Sequence, residues 1–206
     1  MSTSATLPWV DRLVYNLKMQ TNKTRVSPTL PARERILLTA HELFYRDGIR
    51  ATGIDRVIAE SGVTKVTFYR HFPSKNDLIC EFLEFRHRRW IEWFVDALQR
   101  HGENLNALLP ALSEWFNDGS FRGCAFINSV GELGAVLPEV VEISRRHKLE
   151  MMEAIARLLP PSRHRAVDAQ AVAMAIDGAI IRAQFDQSPE PALHVLNRLL
   201  KALLAK

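Results

Sequence analysis

Three features of the sequence predict an all-α protein. Strand-type alternation of Val, Ile and Thr is absent, while Ala, Leu, Arg and Glu dominate. Apolar residues recur at three- and four-residue spacing through most of the chain after Pro31. Gly, Pro and Ser/Thr-x-x-Asp patterns punctuate these periodic stretches where helices start and stop. The expected architecture is an N-terminal three-helix unit containing a helix-turn-helix, followed by a helical C-terminal domain, about nine helices in total.

Each element has its own justification. Residues 1–30 are polar and irregular and read as a flexible basic arm; Trp9, Leu13 and Leu17 support at most a turn or two. Met19 is an alternative start, which would make residues 1–18 an extension. Pro31 suits the first turn of a helix, and Ile36, Leu37, Ala40, Leu43 and Phe44 repeat at helical spacing until Gly48. Thr52-Gly53-Ile54-Asp55 reads as a capping box opening a helix with Ile54, Val57 and Ile58 on its apolar face, stopped by Ser61-Gly62. A third helix is expected from near Thr64 to Phe72-Pro73. Ser74-Lys75-Asn76-Asp77 is a second capping box, opening a long helix to about Arg100. Further helices are expected over 105–117, 123–133, 137–159, 165–186 and 190–205, separated by Gly119, Gly123, Pro138, Pro160-Pro161 and Pro189. The expected divisions are 1–30, 31–78 and 79–206.

Charge narrows the function. The net charge is +4, but residues 1–75 hold 12 Lys+Arg against 6 Asp+Glu, and the remainder holds 15 against 17. A basic first third on a near-neutral body fits a nucleic-acid-binding module joined to something else. Cys80 and Cys124 are too few for a disulfide framework. Leu7–Leu17 is interrupted by Asp11, Arg12 and Asn16, so no secretory signal is read there, and no apolar run approaches the roughly 18 residues of a membrane span. A cytoplasmic protein without a membrane partner is expected.

Enzyme motifs are missing. The chain has no Gly-x-Ser-x-Gly, Gly-x-Gly-x-x-Gly or P-loop pattern, and none of its seven histidines pairs with another at i+3 or i+4. Glu84–His87 has the Glu-x-x-His spacing of a carboxylate-bridged metal site but lacks the second motif. No catalytic residue, metal or cofactor is expected.

The stretch "GVTKVTFYRHFPSKNDL", Gly62–Leu78, carries the functional signal. On a helical wheel Phe68 and Phe72 share one face, which roots the third helix in the core. The opposite side is then left for donors. Lys65 lies at the helix N-terminus, Val66 and Arg70 lie opposite Phe68, and Thr67 and Tyr69 flank them. Arg70 suits a bidentate guanine contact, Thr67 a base edge or phosphate, and Val66 a thymine methyl. Tyr69, His71 and Lys75 suit phosphate oxygens. Thr52 and Thr64, at the starts of the second and third helices, complete the expected contact set. Lys18, Lys23 and Arg25 on the arm are expected to add phosphate contacts.

The segment "ARERILLTAHELFYRDGIRATGIDRVIAESGVTKVTFYRHFPSKNDLICEFL" resembles the N-terminal DNA-binding domain of the TetR family of bacterial transcriptional repressors. The resemblance covers about residues 32–83, through "A…LF…G", "TGIDRVIAESGV" and "T-F-Y-x-H-F-x-S-K". Val66 departs from it, because the family often has a small residue such as glycine there. The resemblance implies an all-helical homodimer on a pseudo-palindromic double-stranded operator. It also implies a C-terminal domain that takes a small hydrophobic or amphipathic ligand and thereby releases the DNA.

Candidates for those roles follow. Small residues Ala171, Ala175 and Ala179 recur at helical spacing, and Leu193, Leu196, Leu199, Leu200 and Leu203 form an apolar stripe; both suit a four-helix dimer interface. "FRGCAFINSVGEL" places Cys124, Phe126, Asn128 and Glu132 on a helix that borders the ligand cavity in the family. Trp93, Trp115, Phe116, Met151, Met152, Met174 and Asp177 are further pocket candidates. The alternative is a helix-turn-helix protein with no small ligand, controlled by a protein partner or by Cys124 oxidation. Activation in place of repression depends on operator position.

Overall fold

Pro31 lacks an amide hydrogen, so the first helix begins just after it. In the computed structural model, which describes residues 27–186 and 188–204, α1 spans Ala32–Asp47. The expected readings at residues 1–26, including the alternative start and the arm cations Lys18, Lys23 and Arg25, lie outside the described residues. Ile36, Leu37, Ala40, Leu43 and Phe44 are all buried, as their spacing requires. Gly48 closes α1 at φ +89°, a left-handed value that side chains disfavour.

The second helix starts differently from the expected capping box. α2 is Ile54–Ser61, and its cap is Gly53, with no side-chain hydrogen bond. Thr52 instead turns inward at 0% exposure and donates its hydroxyl to Gly48 O at 2.8 Å. The loop lies over the core, so a hydroxyl carried inside must find an acceptor there. Gly62, at φ +64°, ends α2 in a left-handed cap.

α3 is Lys65–His71, capped by Thr64, whose Oγ1 accepts the Thr67 N–H at 3.2 Å. Ser74 Oγ accepts the Asp77 N–H at 3.2 Å and also bonds the Asp77 carboxylate at 2.6 Å, opening α4, Lys75–Arg100. That helix is about 39 Å long, and it packs on α1 near one end and on the later helices beyond. A 3₁₀ turn, Leu105–Ala107, leads into α5, Leu108–Phe116. Then come α6 (Ala125–Leu133), α7 (Pro138–Leu158), α8 (Arg165–Phe185) and α9 (Glu190–Leu204). The described residues form nine α-helices and no strand, an N-terminal helix-turn-helix unit followed by a helical C-terminal domain.

α7 packs against α4, α6 and α8, and α9 lies along α8. One continuous apolar core runs from Ile36 through Phe68, Phe82 and Phe94 to Leu196 and Leu200. Among the described residues no helix is long and apolar enough to cross a membrane.

Candidate nucleic-acid interface

α3 contains seven residues and cannot hold itself together in water. Its hold on the protein is Phe68, fully buried, with Phe72 just past its C-terminus, also buried. Fully burying one such ring stabilises by roughly 1.5–3 kcal/mol. The rings lie 6.2 Å apart, and Phe68 also meets the Tyr69 ring edge-on at 5.3 Å. This pair leaves the outer side uncovered. Val66 is 70% exposed, and Lys65, Tyr69 and Arg70 are exposed with it.

Carboxylates pair many of the cations, though Arg50, Arg157, Arg198 and Lys201 are exposed without such a partner among the described residues. Arg33, Arg46, Arg56, Arg100, Arg146 and Lys148 all have carboxylate partners. Lys65 and Arg70 have none among the described residues. A branched apolar residue at the centre of an exposed, cationic helix face matches a major-groove reader. Thr67 is half-buried, and its hydroxyl lies 2.9 Å from that of Thr64, so both threonines already serve the helix cap. His71 is half-buried at the C-terminal end.

Two expected DNA contacts are placed elsewhere. Thr52 is inside, as above, and offers DNA no side-chain atom. Lys75 is half-buried, with Nζ donating to Ile49 O at 2.6 Å and lying 5.9 Å from the Phe44 ring centre. Burial pushes its pKa down, and the Glu132 carboxylate partly opposes that. Its first role is to hold a turn, which a phosphate contact would have to share.

The expected pocket residues do not gather around one space. Trp93, Trp115 and Phe116 join Trp90, Phe94 and Phe121 in a filled aromatic cluster, in which Trp90 stacks on Phe94 at 4.7 Å and meets Trp115 at 5.3 Å. Cys124 and Met151 are buried core residues, and Met152 packs half-buried beside them. Met174 is 69% exposed, on the outside of α8, so it lines nothing within the subunit. Asp177 is paired with Lys148 at 2.5 Å. The larger cavity, about 300 Å³, lies between α1 and α6 and takes Asn128 and Glu132 from the expected set, together with Phe44, Tyr45, Arg46, Asp47, Phe82, Arg122 and Ser129. A smaller apolar hollow of about 190 Å³ takes Phe126, beside Ile127 and Val130.

The dimer candidates also divide. Ala179, Leu196 and Leu200 are buried in their own subunit's core. α9 packs along α8, and these residues lie on the side that faces inward. Ala171, Ala175 and Leu193 are half-buried, and Leu203 is exposed. The outward apolar face consists of Met174 and Phe185 on α8 and Val195, Leu199 and Leu203 on α9.

Two groupings were not legible in the sequence. His147 stacks on Phe126 at 3.6 Å, and its Nδ1 lies 3.3 Å from Nδ1 of His87. Nε2 of His87 lies 3.3 Å from the Glu150 carboxylate. A carboxylate only accepts, so that Nε2 carries a proton, and one further proton lies between the two Nδ1 atoms. Burial, then the charges of Lys148, His87 and Arg86, push the His147 pKa down from 6.5 to about 2. Glu84 pairs with Arg146 instead of acting with His87, so the Glu-x-x-His spacing has a structural use. Among the described residues no His, Cys, Asp and Glu cluster is arranged for a metal. The second grouping is Glu132 with the Ile49–Arg50 turn, 83 and 82 residues apart. Separations this large leave no periodic trace in a sequence.

Comparison with known proteins agrees with this geometry. The family model for bacterial regulatory proteins of the tetR family matches residues 36–82. The HTH-type transcriptional regulator LmrA of Bacillus subtilis is 30% identical over 178 residues, 80% of this chain and 92% of LmrA. An HTH-type regulator of Lactococcus lactis is 26% identical over 109 residues, and the chain spans 56% of that relative's length. The crystal structure of a TetR-family transcriptional regulator from Streptomyces coelicolor is similar with a TM-score of 0.76 and 29% identity, covering 84% of this chain and 88% of that one.

Proposed function

The chain belongs to the TetR family of bacterial regulatory proteins, transcriptional regulators and not enzymes, and from that premise we propose that it is a cytoplasmic homodimeric repressor. Each subunit inserts α3 into the major groove of one half of a pseudo-palindromic operator. Lys65, Val66, Thr67 and Arg70 face bases, while Tyr69 and His71 hold phosphates. The observation that supports this reading most is the exposed face of α3, where Lys65, Val66, Tyr69 and Arg70 stand outward, backed by buried Phe68. The working boundaries are 31–78 for DNA binding and 79–206 for regulation. Dimerisation uses the outward stripe of α8 and α9, Met174, Phe185, Val195, Leu199 and Leu203.

Release by a small hydrophobic or amphipathic effector is the regulatory half of this reading. The 300 Å³ cavity sets the rings of Phe44 and Phe82 beside Asn128, Ser129 and four charged residues, Arg46, Asp47, Arg122 and Glu132, a mixed lining that suits an amphipathic molecule better than a purely hydrophobic one. An effector that binds better to one half-site separation shifts the population toward it, and about 1–3 kcal/mol of coupling changes DNA affinity 5- to 150-fold. The filled aromatic cluster around Trp90 favours the second reading, control without a small ligand.

Selection of bound sequences from a random duplex pool at fixed salt tests the core of the proposal. A two-fold symmetric consensus is the expected result. A pool that stays random after repeated rounds rules out the proposed reading. A thermal-shift screen of small amphipathic compounds, run with and without the selected duplex, separates the two regulatory readings.

A further inference from the structure

The turn between α1 and α2 is held from two directions at once. Gly48 leaves the helix at φ +89°, which aligns the next two amide hydrogens with the Glu132 carboxylate on α6. Oε1 accepts the Ile49 N–H at 3.3 Å and Oε2 accepts the Arg50 N–H at 2.8 Å. The carbonyl of the same Ile49 accepts Lys75 Nζ, from the first residue of α4, at 2.6 Å. Glu132 and Lys75 thus grip one peptide turn with opposite charges. A Cβ on Gly48 would meet Glu132 Oε1 at an ordinary 3.4 Å, so the positive φ, and not the space, is what favours glycine there.

The turn is in turn fixed to the helix-turn-helix. The Thr52 hydroxyl donates to Gly48 O, tying the start of α2 back to the end of α1. Val57 of α2 and Phe68 of α3 share the buried core. A second tether lies beside the first: the Tyr45 hydroxyl on α1 donates to Gly123 O and accepts the Arg122 N–H, just before α6 begins. The 300 Å³ cavity opens between these tethers. Hydrogen bonds and packed side chains thus connect α6 to α3 through the turn and α2.

We propose that Glu132 is a positioning residue for DNA binding, setting the orientation of the helix-turn-helix from the regulatory side. The proposal rests on the DNA-binding reading above. A backbone turn whose two amides end on a carboxylate from the other domain moves when that carboxylate moves. No other described side chain accepts from these two amides.

The test uses the full-length protein with Glu132→Gln, which keeps one acceptor oxygen without the charge, and Glu132→Ala, which keeps neither. Amide hydrogen exchange is followed at Ile49 and Arg50, with Phe68 and Phe72 as internal controls. Affinity is measured on the duplex selected by the wild-type protein. Glu132→Ala is expected to speed exchange at Ile49 and Arg50 while the Phe68 and Phe72 amides keep wild-type rates. Operator affinity should fall about 5- to 150-fold, with Glu132→Gln intermediate in both readouts. Unchanged exchange in the alanine variant, or freed amides with wild-type affinity, overturns the proposal alone. A wild-type protein that selects no duplex sinks the functional reading and this proposal together, so the two failures are distinguishable.

Discussion

The outer face of α3 and the interior around His147 treat polar groups in opposite ways. On α3, Lys65 and Arg70 project from the surface without carboxylate partners among the described residues, and the helix spends only Phe68 on the core. Around His147 the protein pairs its imidazoles internally: the two rings meet through Nδ1, one lies flat on Phe126, and Glu150 accepts from His87 Nε2, while Trp90 Nε1 and Ser144 Oγ are buried without a hydrogen-bond partner among the described residues. A surface that leaves charged donors unmatched is available to an outside partner. A buried imidazole pair matched internally specifies packing, because breaking it would leave a buried polar group unpaired at a cost of about 1–3 kcal/mol.

The contrast is broken most severely at the anchor. Phe68→Ala should cost about 3–5 kcal/mol of stability, because a fully buried ring is lost from a seven-residue helix with little else to hold it. Denaturant unfolding of the full chain checks this, and a loss below about 1 kcal/mol would mean that the outer face is not held by this ring.

Arg70→Ala sharpens the contrast from the other side. It should leave the unfolding midpoint unchanged, since Arg70 is exposed and has no partner in the described residues. Its cost should appear only in DNA binding, about 1–3 kcal/mol, with relaxed preference at one position per half-site. Equal losses on all duplexes would assign Arg70 to a phosphate instead of a base.

The interior predicts a pH effect on stability. His147 has an ordinary value of 6.5 when unfolded and about 2 when buried in the fold. As pH falls below 6.5 the unfolded chain gains a proton that the native state refuses. Stability is therefore fully present above that pH and declines progressively toward pH 2, with a slope of at most about 1.4 kcal/mol per pH unit from this group. His147→Phe should remove that slope between pH 6 and pH 4, while lowering stability near neutrality because His87 loses its Nδ1 partner. Urea titrations at stepped pH decide it; an unchanged acid slope would assign the pH dependence to other groups.

Local chemistry explains which parts could be read in advance. The helix bounds of α4 coincide with the expectation because Ser74-Lys75-Asn76-Asp77 marks its start within four residues. Phe68 and Phe72 were identifiable as anchors because a short helix with two aromatics one turn apart has one way to be amphipathic. Thr52 was misread because a Thr-x-x-Asp pattern cannot show that the hydroxyl will instead face Gly48 O across a closed loop. Leu196 and Met174 exchanged expected positions for a similar reason. A stripe gives the existence of a face, but which of two faces meets the subunit's own core depends on the neighbouring helix.

The residue order alone determined that this chain is helical, where its main helices begin and end, and that a short segment near position 68 carries unmatched donors. Those properties arise from contacts within one or two helical turns. Tertiary structure decided that Trp93, Trp115 and Phe116 fill one another's space instead of lining a cavity, that His87 meets His147, and that Glu132 grips the Ile49–Arg50 turn. Each of those depends on side chains brought together by the packing of separate helices, and spacing along the chain carries no record of distance between helices.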